Sequence, residues 1–444
     1  MSLLNKLQLL QDEYGYLPKE QLSDLASEEG LTLAEMIGRA SFYEFFKFSP
    51  GEDGGHIENL YPCRKAGILL TAQEAYSWAA LCKAKSAPEM VIPELKTSGL
   101  LGRGGGGFPV WAKWKTTKDT VSDIKYVICN ADEGEPGTGK DRVLLECNPK
   151  AVIEGMAICA TTVGAKKGII YLRGEYADLG GALAKELQSA PLGEFEIEIC
   201  IGQGAYVCGE ETALINSIEG KRGETRLKPP YPGISGLQEK PTVVNNVETF
   251  ACVPFILKFG AENFRKYGSD DYPGTKLYTV CGKVKNPGIY EMDAGVTVAE
   301  LLSAAGGESE TIQAVLTGGG SGCILRPDCF DMHMTPTGCA ERGAVFGTGS
   351  IRFIGESEDL LSIAINLCEF YGKESCGMCV PCRVGLKQLK ALLEKLQLDN
   401  AFPEDFEEIR NLSEHIKSSA RCGLGQAAVT PVLSIFKNFP EVLK

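Results

Sequence analysis

The sequence predicts an α/β protein that consists of several domains. Its 444 residues are 44% hydrophobic and 23% charged, an ordinary globular composition, and this length corresponds to about three domains. Apolar strand-like segments such as YVICNA (126–131) and GIIYLR (168–173) alternate with helical stretches such as AVIEGMAICATTVGA (151–165), which is typical of an α/β sheet. Apolar residues recur at helical spacing at both ends of the chain. We therefore expect an α/β sheet domain between helical segments.

The first 48 residues predict three short helices. Apolar positions recur at helical spacing in LLNKLQLLQ, QLSDLASEEG and TLAEMIGRASFYEFF. The following SPGEDGG (49–55) predicts a turn-rich linker. We assign residues 1–55 to a helical segment and residues 64–270 to the α/β domain.

A second break is expected at YGSDDYPG (267–274). Beyond it, KLYTVCGKV, GIYEMDAGV, TVAELLSAAGG and AVLTGGG predict strand, strand, helix and strand. This order suits a compact ubiquitin-like roll over residues 271–355 and is too short for another Rossmann unit. From residue 356 onward, segments such as RVGLKQLKALLEKLQL carry apolar stripes at helical spacing, which predicts a helical domain over 356–444.

Charge and hydropathy exclude several classes of function. The chain has 45 basic and 58 acidic residues and a formal net charge of −13, which argues against nucleic-acid binding as its main task. No uncharged apolar run approaches the ~20 residues of a membrane span. The N-terminus lacks the apolar stretch and cleavage site of a secretion signal. We therefore expect a cytoplasmic protein without a membrane span.

The cysteines point to sulfur ligation of a metal, since the chain has 17 cysteines and only three histidines. Cys376, Cys379 and Cys382 form a C-x2-C-x2-C motif, and Cys422 follows forty residues later. This spacing favours a four-iron four-sulfur cluster, whereas structural zinc prefers two C-x2-C pairs. Packed thiols without a metal are the remaining alternative. We expect the other cysteines, including Cys368, to be small core residues.

A glycine-rich loop and two acidic loops are candidate ligand sites. SGLLGRGGGGFPVWAKW (98–114) contains G-x-G-x-x-G but follows no β-rich strand, so it does not predict an ordinary dinucleotide turn. Its backbone amides could still approach a flat or phosphorylated ligand, with charge added by Lys113 or by Arg103. A flexible linker is the alternative.

The acidic loops are CNADEGEPGTGKDR (129–142) and AYVCGEETALINSIEGKRGETRLKPPYP (205–232). The first leaves an apolar strand, and polar groups at the carboxyl end of such a strand lie where ligands bind. In the second, Glu210 and Glu211 open a helix, where the helix dipole favours carboxylates. The spacing of a calcium-binding EF-hand is absent, and nothing else indicates a carboxylate pair for glycoside hydrolysis.

Taken together, the motifs resemble a known flavoprotein family. They are GRGGGGFPVWAKW, NADEGEPGTGKDR, YVCGEETALINSIEG, RLKPPYPG, PTVVNNVET and ESCGMCVPCR with RCGLGQ, in order over about three quarters of the chain. They are similar to the flavoprotein that holds FMN and NADH in respiratory complex I and to the diaphorase subunit of soluble NAD-linked hydrogenases and formate dehydrogenases. The resemblance implies a modified Rossmann-like FMN/NADH domain, a β-grasp domain and a helical domain with a [4Fe-4S] cluster.

The resemblance also assigns residues. Positions that match those holding FMN are Gly102, Gly104, Lys113, Asn130, Asp132, Glu133, Tyr206, Gly209, Glu210, Glu211, Asn245, Asn246 and Thr249. Positions that match the NADH cleft are Phe108, Glu135, Glu211, Lys228 and Tyr231. Among these, Glu135 and Glu211 are the candidate catalytic residues. The cluster ligands are Cys376, Cys379, Cys382 and Cys422.

The implied function is NADH:acceptor oxidoreduction, in which hydride exchange between NAD(H) and FMN precedes single-electron transfer to the cluster. This chemistry requires no histidine base. Implied partners are a thioredoxin-like [2Fe-2S] subunit and a larger iron–sulfur or catalytic subunit of a hydrogenase or formate dehydrogenase. Complex I and an electron-bifurcating module that uses ferredoxin are the alternatives. A zinc-containing Rossmann dehydrogenase and a non-enzymatic scaffold are two further hypotheses.

Two features depart from the family pattern. Thr116 stands where relatives commonly carry an aromatic residue, so adenine stacking would depend mainly on Phe108 and Tyr231. The N-terminal segment resembles the helical start of the thioredoxin-like iron–sulfur subunit, but only Cys63 follows where its cluster motif is expected. We interpret the segment as a fused, truncated remnant; an independent helical cap is the alternative.

Overall fold

The computed structural model describes residues 3–40, 42–43, 46–48, 61–70, 76–398 and 400–443. The predicted linker at 49–55 lies outside the described residues. The N-terminal segment forms helices α1 (Leu3–Tyr14), α2 (Lys19–Glu28) and α3 (Leu33–Ala40). Their apolar faces bury Leu4, Leu7 and Leu22, as the helical spacing predicts.

The next part of the chain alternates helices and strands. Its elements are β1 (Cys63–Lys65), α4 (Ala79–Ser86), α5 (Val91–Ser98), α6 (Val110–Asp119), β2 (Tyr126–Ala131), α7 (Lys140–Cys147), α8 (Pro149–Val163), β3 (Lys167–Leu172), α9 (Gly180–Ser189), β4 (Glu196–Ile201), α10 (Glu211–Ile218), β5 (Thr242–Asn246), α11 (Val247–Phe259) and α12 (Ala261–Phe264). Local signals set the ends of α8, because Asn148 caps its first turn and Gly164 ends it with φ 78°.

The first sheet is parallel and has the order β4-β3-β2-β5. Successive residues of β2 face opposite sides: Val127 packs with α8 and α11, whereas Ile128 packs with α10 and the N-terminal helices. Helices α8 and α11 approach so closely that a β-carbon on Gly155 would lie 2.1 Å from the carbonyl oxygen of Phe250. Helices therefore cover both faces of this sheet, as in a doubly wound α/β fold.

The second sheet contains β6 (Thr275–Gly282), β7 (Gly288–Asp293), β8 (Ile312–Thr317), β9 (Cys323–Leu325) and β10 (Ile351–Gly355), with α13 (Val298–Ala304) and α14 (Pro336–Glu341) beside it. Its order is β1-β7-β6-β10-β8-β9. Strand β10 runs parallel to β6 and antiparallel to β8, the mixed pairing of a β-grasp sheet. Strand β1 pairs with β7 in this sheet, although its residues lie at the predicted start of the α/β domain.

The C-terminal part is helical. It contains α15 (Leu360–Lys373), a π-helical turn (Pro381–Gly385), α16 (Leu386–Gln397), α17 (Pro403–Ser419), α18 (Gly423–Ala427) and α19 (Thr430–Asn438). Their buried side chains join one hydrophobic core with the N-terminal helices and one face of the first sheet. No helix among the described residues is long and apolar enough to cross a bilayer. The mixed α/β architecture confirms the predicted fold class; the domain boundaries stay a prediction.

Candidate flavin and iron–sulfur site

A cavity of about 350 Å³ opens at the carboxyl end of the first sheet. Asn130 of β2 and Asn246 of β5 are register partners at this edge. The strand order reverses here, because β3 and β4 lie on one side of β2 and β5 lies on the other. Ligands of open α/β sheets bind at such reversals, and this volume lies within the range of small-molecule sites.

Residues predicted from the sequence divide into two groups. Those that line the cavity are Gly104, Asn130, Asp132, Glu133, Glu135, Tyr206, Gly209, Glu210 and Asn246. Those outside its lining are Gly102, Phe108, Lys113, Glu211, Lys228, Tyr231, Asn245 and Thr249. Lining residues that we did not predict include Lys140, Asp141, Thr348 and Leu424. Lys140 and Asp141 belong to the quoted acidic-loop motif, but a Lys-Asp pair at a helix start carries no sequence signal of burial.

Asp132 provides a direct test of whether the cavity fits a polar ligand. Asn130 Oδ1 accepts a hydrogen bond from Asp132 N at 3.1 Å, and Asn130 Nδ2 donates to Gly209 O at 2.8 Å. Asp132 Oδ2 is buried and has no hydrogen-bond partner among the described residues. Burial also raises the pKa of Asp132 well above its ordinary value. A buried polar atom of this kind suits a bound polar molecule such as FMN.

Glu133 is held within the protein. Its carboxylate accepts hydrogen bonds from the backbone N–H groups of Asp141 (3.0 Å) and Arg142 (3.3 Å) at the start of α7, and from Tyr176 OH at 3.0 Å. Burial, with a further contribution from Asp141, raises the pKa of Glu133 to about 7. Glu133 therefore caps a helix at the cavity wall, and its predicted contact with FMN stays a prediction.

The two asparagines at the end of β5 make different contacts. Trp114 Nε1 donates to Asn245 Oδ1 at 2.8 Å, which fixes that amide against α6. Asn246 Oδ1 accepts from Glu248 N at 3.1 Å and so caps α11. A β-carbon on Gly104 would lie 3.0 Å from the β-carbon of Asn246. The glycine loop thus meets the N-terminus of α11 at the cavity, an arrangement suited to an anionic group.

The glycine loop is an ordered part of the fold. Gly102 N donates to Phe108 O at 2.9 Å, and Arg103 N donates to Thr249 Oγ1 at 2.8 Å. These bonds exclude the flexible linker that the sequence left open. The Arg103 guanidinium, which we considered as a ligand charge, instead lies 4.1 Å from the ring centroid of Tyr272 and is 1% exposed.

Glu135 connects three parts of the chain. Its Oε2 accepts from Tyr206 OH at 2.5 Å, and its Oε1 accepts from Tyr371 OH at 3.1 Å and from Ser321 N at 2.7 Å. Tyr371 belongs to α15, and Ser321 follows β8. The candidate catalytic carboxylate is therefore positioned by donors from each region that borders the cavity.

Glu210 and Glu211 lie at the start of α10, as predicted. Glu210 caps that helix by accepting from two backbone N–H groups. Glu211 Oε2 lies 2.9 Å from Lys113 Nζ, and its Oε1 lies 3.2 Å from Lys228 Nζ. Burial opposes ionisation, but the two lysines outweigh it and lower the pKa of Glu211. Lys113 therefore pairs with a carboxylate, whereas we had expected it to add charge for a ligand.

Two aromatic residues that the sequence assigns to the NADH cleft are exposed. Phe108 is 56% exposed and Tyr231 is 57% exposed, which leaves ring surface available for stacking on a planar ligand. Thr116 Oγ1 donates to the carbonyl of Ala112 in its own helix at 3.1 Å. The dependence of adenine stacking on Phe108 and Tyr231 stays a prediction.

The four motif cysteines lie close together in the helical region. Cys376, Cys379 and Cys382 lie between α15 and α16, and Cys422 directly precedes α18. Cys382 is buried in the π-helical turn, and its thiol donates to Ser375 Oγ at 3.1 Å. Burial, with contributions from the thiols of Cys379, Cys422 and Cys376, raises the pKa of Cys382 to about 12. The side chains are therefore near one another, and π-helical turns are common at functional sites.

The sequence spacing of these thiols bears on the kind of metal. A four-iron cluster carries one thiolate on each iron, and three cysteines in one loop with a distant fourth form such a donor set. Within the described ranges, no group of three or more potential ligands is placed to hold a metal ion.

Other cysteines differ partly from expectation. Cys368 is buried, as predicted, whereas Cys63 and Cys82 are exposed. Cys63 lies on the edge strand β1, and Cys82 lies on α4. Sequence context alone did not reveal which side of these short elements faces solvent.

The cavity and the cysteine loop are adjacent. Gly423 and Leu424, which directly follow Cys422, line the cavity. The ring centroids of Tyr206, which also lines the cavity, and Phe370 are 5.5 Å apart, and α15 leads from Phe370 into the cysteine loop. A ligand in the cavity would therefore lie directly beside a group held by these cysteines.

Comparison with protein families identifies each region. Residues 95–255 match the Nuo51 FMN-binding domain, and residues 362–444 match the NADH-ubiquinone oxidoreductase-F iron–sulfur binding region. Residues 277–321 match the SLBB domain, and residues 1–64 match the thioredoxin-like [2Fe-2S] ferredoxin. The last match confirms the similarity that we predicted for the N-terminal segment.

Curated relatives fall into two groups. The F subunit of the NADH-quinone oxidoreductase of Aquifex aeolicus is 42% identical over 378 residues, 80% of this chain and 85% of that protein. The alpha subunit of the NAD-reducing hydrogenase HoxS of Cupriavidus necator is 42% identical over 80% of this chain and 60% of that protein. The HndC subunit of the NADP-reducing hydrogenase of Solidesulfovibrio fructosivorans is 41% identical over 79% of this chain and 75% of that protein.

A solved structure is similar over almost the whole chain. A chain of the air-oxidized NAD+-reducing [NiFe]-hydrogenase aligns with a TM-score of 0.89 and 29% identity. The alignment covers 98% of this chain and 92% of that one. The cofactors are FMN and a [4Fe-4S] cluster, with NADH as substrate, and the activity is NADH-dependent electron transfer to iron–sulfur centres. The chain belongs to the flavoprotein family that comprises the F subunits of NADH-quinone oxidoreductases and the diaphorase subunits of NAD(P)-reducing hydrogenases.

Proposed function

We propose that the chain is the diaphorase subunit of a soluble hydrogenase or formate dehydrogenase complex. FMN in the cavity would exchange hydride with NAD(H) and pass single electrons to a [4Fe-4S] cluster. The cluster would be held by Cys376, Cys379, Cys382 and Cys422. The observation that carries the proposal is the contiguity of the two sites, since Gly423 and Leu424 line the cavity immediately after Cys422.

The protein's own residues would bind and orient the reactants. Asn130, Asn246 and the glycine loop would hold the flavin at the sheet edge, with Asp132 offering its unpartnered oxygen. Glu135, fixed by Tyr206 and two further donors, would orient the nicotinamide end of NADH. No step requires a proton-transfer histidine.

Exposed residues outside the cavity would bind the adenosine end of NADH. Phe108 and Tyr231 would stack on adenine, and Lys228 would steer the diphosphate. Glu211, which its lysine partners keep ionised, would disfavour a 2′-phosphate by like-charge repulsion. This arrangement supports a preference for NADH over NADPH.

The N-terminal segment supports the choice of complex. The solved structure that aligns with 98% of this chain, and so includes the N-terminal segment, is a chain of a NAD+-reducing [NiFe]-hydrogenase. In sequence, the Aquifex relative and the HoxS alpha subunit each align with 80% of this chain. We therefore place a thioredoxin-like [2Fe-2S] subunit and a larger iron–sulfur or catalytic subunit as partners in the cytoplasm. Complex I and an electron-bifurcating module are the alternatives.

Co-purification from the native host tests this assignment. The chain would be tagged, isolated with its partners under anaerobic conditions, and the metals of the complex determined. Nickel with iron, or molybdenum or tungsten, would support a hydrogenase or formate dehydrogenase respectively. Recovery with quinone-reducing membrane subunits would instead assign the chain to complex I, and an iron-only assembly that reduces ferredoxin would favour bifurcation.

A further inference from the structure

Beside the cavity lies a buried ionic cluster that the assigned function does not use. Lys140 Nζ lies 2.6 Å from Asp141 Oδ1 and 3.1 Å from Glu248 Oε2, and Lys276 Nζ lies 2.6 Å from the same Glu248 oxygen. None of these four side chains is more than 3% exposed. Burying charged groups is costly unless each one is compensated, so the balance of charge in this cluster matters.

Lys140 differs in charge from the other ionisable residues of the cavity wall. Among the described residues, it is the one cationic side chain that lines the cavity. Five residues with carboxyl groups also line it: Asp132, Glu133, Glu135, Asp141 and Glu210. FMN carries a phosphate, and an anion in so acidic a cavity needs a counter-charge. Lys113 does not line the cavity, and its ammonium is paired with Glu211.

The position of Lys140 matches that of a phosphate site. Its Nζ donates to Asn246 Oδ1 at 3.1 Å, and Asn246 caps the 13-residue helix α11. Gly104 also approaches Asn246 closely. A glycine loop, a helix N-terminus and a buried ammonium therefore converge here, and together they favour a phosphate group.

We propose that Lys140 is the counter-charge of the FMN phosphate, kept in place by Asp141 and Glu248. Its three N–H groups are engaged with Asp141, Asn246 and Glu248, so it acts through its charge and not through a direct hydrogen bond. It is a positioning residue, because it also fixes the side-chain amide of Asn246. Lys140 Nζ donates to Asn246 Oδ1, and Asn246 Nδ2 donates to Asp141 Oδ2 at 2.6 Å. The proposal rests on the flavin cavity assigned above.

The test compares FMN with riboflavin, which has the same ring and ribityl chain but no phosphate. The full chain would be stripped of flavin, and each flavin titrated by fluorescence quenching. We expect Lys140→Met to weaken FMN binding at least tenfold and riboflavin binding less than threefold, whereas Lys140→Arg keeps the wild-type ratio. Adding Asp141→Asn to Lys140→Met restores the net charge and should recover part of the FMN affinity.

Lys276→Met is the matched control. Lys276 is equally buried and pairs with the same carboxylate, but it does not line the cavity. In the Lys276→Met variant, the ratio of FMN affinity to riboflavin affinity should change no more than threefold. The proposal would be overturned if Lys140→Met weakened the binding of both flavins equally, or if Lys276→Met changed the affinity ratio as much as Lys140→Met does. Failure of the wild-type chain to bind FMN would instead refute the assigned cavity.

Discussion

The carboxylate of Glu248 should be among the most sensitive positions for stability. It accepts from Lys276 Nζ at 2.6 Å and from Leu277 N at 3.0 Å, and it lies 3.1 Å from Lys140 Nζ. Although burial opposes ionisation, the neighbouring cations lower its pKa. Glu248→Ala would leave two buried ammonium groups and a backbone N–H without this partner. Loss of one member of a buried ion pair costs about 3–5 kcal/mol, and the unpaired N–H adds about 1–3 kcal/mol.

A surface pair with nearly the same distance provides the control. Lys285 Nζ and Glu308 Oε1 lie 2.8 Å apart, but their side chains are 71% and 60% exposed. Glu308→Ala should give no measurable change, because exposed pairs contribute little. The unfolding midpoint of both variants can be measured in urea. Unfolding of the full chain is monitored by tryptophan fluorescence, to which the buried Trp114 contributes. A similar shift of the midpoint in the two variants would refute the assignment of stability to the buried cluster.

Three further outcomes are expected. Glu211→Gln should raise kcat/KM for NADPH about tenfold, by removing about 1.4 kcal/mol of repulsion; no gain with NADPH would contradict the role of this carboxylate. Because burial raises the pKa of Glu133 from 4.5 to about 7, the stability that it contributes is complete below about pH 4.5 and lost as pH rises to about 7. Glu133→Gln should therefore flatten urea-unfolding stability between these pH values; an unchanged pH profile would contradict it. Cys382→Ser should abolish the EPR signal of the reduced cluster while FMN remains bound at one per chain, and an intact signal would exclude Cys382 as a ligand.

Local patterns were sufficient where the fold depends on short-range signals. The segments KLYTVCGKV, GIYEMDAGV, TVAELLSAAGG and AVLTGGG predicted strand, strand, helix and strand, and β6, β7, α13 and β8 follow that order. Apolar alternation and turn residues determine these elements within a few residues of sequence. The cysteine spacing likewise indicated a cluster site without any knowledge of the fold.

Partners of charged residues could not be predicted in the same way. Lys113 pairs with Glu211, and the Arg103 guanidinium stacks on Tyr272. Both contacts join segments that are far apart in the chain, so they depend on the completed packing. Strand β1 joins the second sheet for the same reason, because its partner β7 lies more than 200 residues away. Lys140 was missed because burial of a lysine has no local sequence signature.

Anaerobic addition of NADH to the purified full chain tests the central claim most directly. If FMN and a [4Fe-4S] cluster lie side by side, visible absorption should show that the flavin is bleached, and EPR should detect the reduced cluster. One FMN and four irons should be present per chain. A colourless protein with stoichiometric zinc, or a flavin that NADH reduces while the cluster stays oxidised, would contradict the account.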